Sequence, residues 1–178
     1  MGITFLRMFW IVPFALMIAA VPAFAQSQDT STHLGLEVRL TGGSFWNQLD
    51  EHGAMGPGFG GSVRYYLSQR FALETEILYS WGRHQMSGMS WKMLVCVPTI
   101  LYHLTSPKKK ASLYVFAGIG FRQESFDWPA TYADYGYSGH ETGVVVWTGL
   151  GLKYGGKIFY SLEVRLGGFA ASIGYAFK

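Results

Sequence analysis

Apolar and polar residues alternate along eight stretches of the chain, and this period of two is typical of β-strands with one apolar and one polar face. In the first stretch Leu36, Val38 and Leu40 share one face, whereas Glu37 and Arg39 share the other. The predicted strands lie near residues 33–41, 58–67, 71–81, 91–103, 112–123, 142–154, 158–167 and 169–177. We therefore predict an all-β fold, an eight-stranded antiparallel up-and-down transmembrane β-barrel.

The fourth predicted strand is the least regular of the eight. We assign its apolar face to Met93, Val95, Val97 and Leu101, and its polar face to Lys92, Cys96, Pro98 and Tyr102. Because proline has no backbone N–H group to donate within a sheet, we also expect a bulge or a local break at Pro98.

The connections between the predicted strands alternate in length. Residues 67–70, 105–110 and 155–157 form short connections, whereas residues 42–57, 82–90 and 123–141 form longer ones. A very short link near Gly167 joins the last two strands and departs from this alternation. Short turns at the periplasmic rim and longer loops outside the cell are expected of an outer-membrane barrel.

Residues 1–25 have the three parts of a cleavable secretory signal peptide. Arg7 supplies the positive charge, residues 8–21 form an apolar run, and Ala23-Phe24-Ala25 forms a small-residue cleavage site before Gln26. The alternative is an N-terminal membrane anchor, but the run is short for a spanning helix of about 20 residues. We therefore expect a signal peptide at 1–25 and a single barrel domain at 26–178.

The sizes of the side chains indicate which face of the barrel points outward. Large residues occupy nearly every position of the apolar face, whereas the polar face holds many small residues between its charges. Since an eight-stranded barrel is just filled by its own side chains, the polar face packs inside more easily and the apolar face meets lipid. The charged residues predicted to lie in the lumen are Glu37, Arg39, Arg64, Glu74, Glu76, Lys92, Arg122, Lys153, Glu163 and Arg165.

Composition narrows the class of protein further. Charged residues make up 14% of the chain, below the ~25% of an ordinary soluble domain. The net charge of +3 is too small to indicate nucleic acid binding, and the lysines from Lys108 to Lys110 suit a solvated turn. Cys96 is the single cysteine, so the chain forms no internal disulfide, and we interpret it as a small wall residue.

Groups that could support catalysis or metal binding are scattered. His52, His84 and His140 fall in predicted loops, whereas His33 and His103 fall near the opposite rim, with His103 at headgroup depth. His84 and His140 could approach each other near Glu141 or Asp134, but sequence cannot place loop residues. With no nucleophile and base paired on one strand and no phosphate-binding loop, we expect no enzymatic activity, no cofactor and no metal.

Two segments carry a resemblance to a known family. They are residues 97–102, Val-Pro-Thr-Ile-Leu-Tyr, and residues 113–120, which follow a turn that contains lysines. The chain resembles the small bacterial outer-membrane β-barrel proteins of the OmpA/OmpX-like and "porin family" type over residues 26–178. The resemblance implies an outer-membrane location among lipids. The closing residues 173–177 resemble the terminal signal that the barrel-insertion machinery reads, although Lys178 follows the final aromatic residue.

These features leave the role of the barrel open between several classes. We favour a non-enzymatic barrel with a structural or surface-interaction role through its extracellular loops. The candidate residues for binding a partner surface, a sugar or a lipid headgroup are Phe126, Trp128, Tyr132, Tyr135 and Tyr137. They could instead pack over the barrel mouth. The alternatives for the whole protein are a small passive channel, a lipid-modifying barrel enzyme, and a secreted soluble ligand-binding barrel.

Overall fold

The computed structural model describes residues 35–46, 55–83, 88–127 and 139–177, and these residues form a closed barrel of eight strands. The strands are β1 (Leu36–Trp46), β2 (Met55–Tyr66), β3 (Phe71–Arg83), β4 (Ser90–His103), β5 (Ala111–Asp127), β6 (Gly139–Gly155), β7 (Ile158–Arg165) and β8 (Gly168–Phe177). No helix among these residues is long and apolar enough to cross a membrane. The prediction of an all-β, eight-stranded barrel is confirmed.

Each strand pairs antiparallel with its neighbours in sequence, and β1 closes the ring by pairing with both β2 and β8. Leu36 faces Tyr65 on one side and Phe177 on the other. We call the rim with the longer connections the long-loop rim. β5 and β6 run further toward it than predicted, since their ladder continues to the pair Phe126 and Gly139. We call the opposite rim, formed by residues 67–70, 104–110 and 156–157, the short-turn rim.

Side chains alternate between the outside and the inside of the barrel wall along every strand. The outer wall is apolar: Leu40, Leu162 and Val164 are 68%, 64% and 70% exposed. Most charged side chains of the strands are buried instead, including Arg39 and Arg64. A water-soluble barrel has the opposite arrangement. The outer wall of this barrel is instead suited to the apolar interior of a membrane.

The two faces of β4 consist of the residues that we predicted, but the predicted orientation, with the apolar face outward, is wrong. Met93, Val95, Val97 and Leu101 are buried inside the barrel, whereas Lys92 and Pro98 are exposed on the outer wall. The inward residues complete an apolar cluster that fills the lumen toward the long-loop rim. The cluster consists of Phe45, Leu78, Trp91, Met93, Val95, Val97, Val145, Trp147 and Ala170. Lys92 therefore lies outside the lumen, near the end of β4 at the long-loop rim, where its ammonium group can reach water.

The break expected at Pro98 takes a mild form. The β4–β5 ladder is interrupted at Val97 and Pro98, but the register is the same on both sides, from the pair Cys96 and Phe121 to the pair Thr99 and Gly118. Pro98 still lies opposite Thr75 on the β3 side. Proline thus removes a local rung of one ladder and inserts no bulge.

Glycines on the inner wall make room for large lumen side chains. A Cβ atom at Gly82 would lie 2.6 Å from the Trp91 ring, and one at Gly151 would overlap the Tyr114 ring. The glycine-rich inner face that the sequence shows therefore has a steric cause. Aromatic rings from neighbouring strands fill the space that these glycines leave.

Candidate functional site

The lumen holds most of the charged residues that the sequence places there. Nine of the ten predicted residues are buried inside the barrel, and Lys92 is the exception. Eight of the nine form ion pairs with one another, and they come from β1, β2, β3, β6 and β7. We call these eight residues the lumen network: Glu37, Arg39, Arg64, Glu74, Glu76, Lys153, Glu163 and Arg165.

Arg39 crosses the lumen from β1. Its Nη1 atom lies 2.6 Å from Oε1 of Glu163 on β7, and its Nη2 atom forms an ion pair with Glu74 on β3. Its Nε atom donates a hydrogen bond of 2.9 Å to Oγ of Ser62 on β2. One guanidinium group therefore joins four strands, and both of its long-range partners lie on strands that do not neighbour β1.

Arg64 and Lys153 are the cations of the lumen network that lie on β2 and β6. The Nε atom of Arg64 lies 2.7 Å from Oε2 of Glu74, and its guanidinium lies 4.6 Å from the centre of the Tyr114 ring. Lys153 forms an ion pair with Glu37, which also accepts a hydrogen bond of 3.0 Å from the Tyr66 hydroxyl. The Tyr114 hydroxyl donates to Glu163 over 2.6 Å.

Arg165 links the lumen network to the apolar cluster. Its Nη1 atom lies 2.7 Å from Oε2 of Glu76, and its Nη2 atom forms an ion pair with Glu163. The same guanidinium lies 4.6 Å from the centre of the Trp147 ring, close enough for a cation–π contact. The ionic and apolar parts of the lumen are thus continuous.

The lumen network is balanced in charge. Its four carboxylates face four cations, so each buried charge has a partner of opposite sign, as burial requires. A cavity lined by Phe45, Met93, Arg122, Val145 and Trp147 has a volume of about 10 Å³, room for about one water molecule. Along the described strands, side chains of the lumen network and of the apolar cluster therefore lie across the lumen.

One buried charge of the lumen was missed by the sequence reasoning. Glu124 is 1% exposed and lies opposite Glu141 in the β5–β6 ladder, and neither of its carboxylate oxygens has a hydrogen-bond partner among the described residues. The sequence does indicate an inward position for Glu124, because it follows Arg122 by two residues and so shares the face of Arg122. The predicted fifth strand ended at Gln123, one residue before Glu124 and four residues before the end of β5.

His103 differs from the expectation of a position at headgroup depth. It is fully buried inside the barrel, because it shares the inward face of β4 with Leu101. Its Nδ1 atom lies 2.9 Å from Oγ of Ser112, which in turn donates to the Thr105 carbonyl oxygen over 3.1 Å. A base and a hydroxyl thus meet where sequence suggested only scattered groups, but the pair is closed off from solvent.

The candidate surface-binding loop falls largely outside the described residues. Trp128, Tyr132, Tyr135 and Tyr137 lie outside them, as do His84 and Asp134 of the conceivable rim site. Phe126 lies at the end of β5, is partly buried, and packs against the apolar cluster. His140 and Glu141 are exposed on β6. Among the described residues, no group of three or more His, Cys, Asp or Glu side chains could hold a metal ion.

An apolar outer wall around a charged lumen defines an integral membrane barrel. The chain belongs to the family of the outer membrane protein beta-barrel domain, whose model matches residues 12–175. The protein is therefore located in the outer membrane, as the resemblance implied. Among curated proteins, none matches the chain.

Solved structures share the fold at low sequence identity. The N-terminal β-barrel domain of Pseudomonas aeruginosa OprF is 19% identical with a TM-score of 0.56, over 80% of this chain and 97% of that one. Ail of Yersinia pestis is 16% identical with a TM-score of 0.54, over 82% and 100%. OprG of Pseudomonas aeruginosa is 12% identical with a TM-score of 0.54, over 81% and 96%. The likeness extends over the whole barrel and concerns the fold.

Proposed function

We propose that this protein is a closed, non-enzymatic outer-membrane barrel that acts through its extracellular loops. The observation that carries the proposal is the lumen network, which fills the barrel with paired charges and joins it to an apolar cluster. We infer that side chains lying across the lumen in this way block the passage of a solute. The long-loop rim is then the surface that can meet a partner outside the cell.

The residues of the 123–141 loop support an interaction surface. Trp128, Tyr132, Tyr135 and Tyr137 place four aromatic side chains within ten residues. Aromatic rings supply large contact areas at low cost in conformational entropy, and they are frequent in binding surfaces. Ail, which shares the fold at 16% identity, has been crystallised with the heparin analogue sucrose octasulfate. A barrel of this architecture is thus able to hold a ligand.

Binding to defined surfaces tests this part of the proposal. The barrel is inserted into nanodiscs, and its retention on immobilised heparin and on immobilised lipopolysaccharide is measured for the natural chain and for W128A/Y135A. We expect the double variant to lose most of the retention. Tyr160→Ala is the matched control, because Tyr160 is exposed on the lipid-facing wall of β7 and should not affect retention. Equal retention of all three proteins contradicts a binding role for the loop.

The passive channel is tested by planar-bilayer conductance. The lumen network predicts the absence of stable, ohmic conductance steps from the folded barrel, and a general porin in the same bilayer shows that the assay detects pores. Regular steps from the natural chain contradict the closed lumen. They would favour the channel instead.

The lipid-modifying enzyme is tested on the His103–Ser112 pair. Because the pair is buried, we expect the lipids of cells that carry the natural chain, Ser112→Ala or no barrel at all to have the same mass spectra. A lipid product that requires Ser112 contradicts the non-enzymatic assignment. We further propose that residues 1–25 are a signal peptide removed during export.

A further inference from the structure

A basic residue and a tyrosine meet at each of the three turns of the short-turn rim. Arg70 directly precedes β3, Lys110 directly precedes β5, and Lys157 directly precedes β7. In each case the first residue of the strand lies opposite a tyrosine on the next strand. The three register pairs are Phe71 and Tyr102, Ala111 and Tyr154, and Ile158 and Tyr175.

The basic groups contact these tyrosines directly. Nζ of Lys110 lies 5.4 Å from the centre of the Tyr154 ring, and Nζ of Lys157 lies 5.2 Å from that of Tyr175. Both distances are within the range of a cation–π contact. At the third turn, Nη1 of Arg70 donates a hydrogen bond of 2.9 Å to the Tyr102 hydroxyl. A basic side chain therefore contacts a tyrosine at each of the three turns, over the ring at two of them and through the hydroxyl at the third.

These tyrosines stand on the lipid-facing wall. Tyr154 and Tyr175 are 51% and 36% exposed and follow the outward face that Leu152 and Ile173 share. Each lies at the short-turn end of its strand, below the apolar side chains. Tyrosine in this position marks the boundary between acyl chains and headgroups. The paired cations consequently lie at the level of the headgroups.

The charge of the short-turn rim has one sign. Arg70, Lys108, Lys109, Lys110 and Lys157 are all exposed, and the three turns contain no acidic residue. The described part of the long-loop rim is mixed, because the exposed Asp127 and Glu141 accompany Arg83 and Lys92. The positive charge is thus concentrated on the side that faces the periplasmic leaflet.

We propose that the three pairs Arg70–Tyr102, Lys110–Tyr154 and Lys157–Tyr175 are binding sites for anionic phospholipid headgroups of the periplasmic leaflet. The tyrosine holds the basic side chain against the barrel wall, through its ring at Tyr154 and Tyr175 and through its hydroxyl at Tyr102, and the other N–H groups of the cation are left to bind a phosphate. A held cation loses less side-chain entropy on binding than a free lysine does. Three sites around the wall would give the barrel an annulus of anionic lipid.

A solvated turn is the competing explanation, and Lys108 and Lys109 provide a control for it. Both lie on the same rim and are exposed, but neither ammonium group lies over an aromatic ring of the described residues. Replacing them removes the same charge, from the same residue type, as replacing Lys110 and Lys157. The comparison therefore separates the paired sites from the general positive charge.

The experiment measures lipid selectivity by electron spin resonance. The full barrel is inserted into phosphatidylcholine vesicles that contain a trace of spin-labelled phosphatidylglycerol or spin-labelled phosphatidylcholine. The immobilised fraction of each gives the ratio of their association constants. For the natural chain we expect a preference of about two- to fivefold for phosphatidylglycerol, of the order that a few interfacial cations produce.

The variants decide between the explanations. K110Q/K157Q should lose at least half of the preference, whereas K108Q/K109Q should retain most of it. A ratio near one for the natural chain overturns the proposal, and so does an equal loss in both double variants. The gel shift on boiling shows that each variant is folded.

A second pair of substitutions keeps the charge and removes the ring. Y154L/Y175L should also reduce the preference, because the lysines are then no longer held against the wall. This variant replaces K110Q/K157Q if the latter does not fold. An undiminished preference in Y154L/Y175L overturns the role of the tyrosines and with it the proposal.

Discussion

Glu163 on β7 and Arg39 on β1 meet in the lumen with Oε1 and Nη1 2.6 Å apart. β8 separates the two strands in the barrel wall, so no backbone ladder joins them. Glu163 also pairs with Arg165 and accepts a hydrogen bond from Tyr114 on β5. One carboxylate on β7 therefore contacts side chains of β1 and β5 across the lumen, in addition to Arg165 on its own strand.

Neutralising this carboxylate should destabilise the barrel strongly. In E163Q the guanidinium groups of Arg39 and Arg165 lose a buried counter-charge, and breaking a buried ion pair costs about 3–5 kcal/mol. The free energy of unfolding in urea, measured for the barrel in lipid vesicles, checks this value. E141Q is the control, because Glu141 is exposed and its loss should change the free energy by about 0.5 kcal/mol or less. Similar stability of E163Q and the natural chain would show that the network contributes little.

Cysteine labelling tests the orientation of β4. In a C96S background, K92C should react with a water-soluble maleimide at least about tenfold faster than M93C, because thiol reactivity requires access. Lys92 is exposed at the outer end of β4, whereas Met93 is buried in the apolar cluster. Faster labelling of M93C would support the opposite orientation of β4, which is the one that the sequence pattern predicted.

Gly151 should tolerate no larger residue. A Cβ atom there overlaps the Tyr114 ring, so G151A forces a shift of a buried aromatic side chain and should destabilise the barrel by about 1–3 kcal/mol. G139A lies on the same strand with no atom within 4 Å of its new Cβ, and we expect a change of about 0.5 kcal/mol or less. The midpoint of thermal unfolding compares the two. Equal midpoints would mean that Tyr114 adjusts freely.

The proposed signal peptide predicts a defined mature terminus. Protein purified from the outer membrane should begin at Gln26, as intact mass and N-terminal sequencing would show. Replacing Ala23 and Ala25 by leucine removes the small-residue site, so the precursor should accumulate. Mature protein that still carries residues 1–25 would instead support an uncleaved anchor.

Seven of the eight strand orientations follow from the sequence, and β4 shows why the eighth does not. In β7, Glu163 and Arg165 alternate with Leu162 and Val164, so one face is unmistakably polar. In β4 both faces are apolar, and the inward one is decided by contacts with Phe45, Leu78 and Trp147 on other strands. Those contacts depend on the stagger of the barrel, which a single strand does not encode.

It is also easier to predict which residues line the lumen than to predict which of them form ion pairs. The alternation of polar and apolar residues along β1 and β7 places Arg39 and Glu163 inside the barrel. The two residues are nevertheless 124 positions apart in the chain. Their contact depends on the registers of β7, β8 and β1 together. The same applies to His103 and Ser112, whose meeting follows from the β4 orientation and the turn between β4 and β5.

The ion pairs between strands that are not neighbours also have a mechanical consequence. A barrel held by its ladders alone could flatten into an ellipse under the lateral pressure of the bilayer, since ladders fix the perimeter and not the cross-section. Arg39 connects β1 to β3 and to β7, and Lys153 connects β6 to β1. Flattening would pull these charges apart in a medium of low dielectric constant. We therefore expect these ion pairs to resist flattening of the ring from which the long loops emerge.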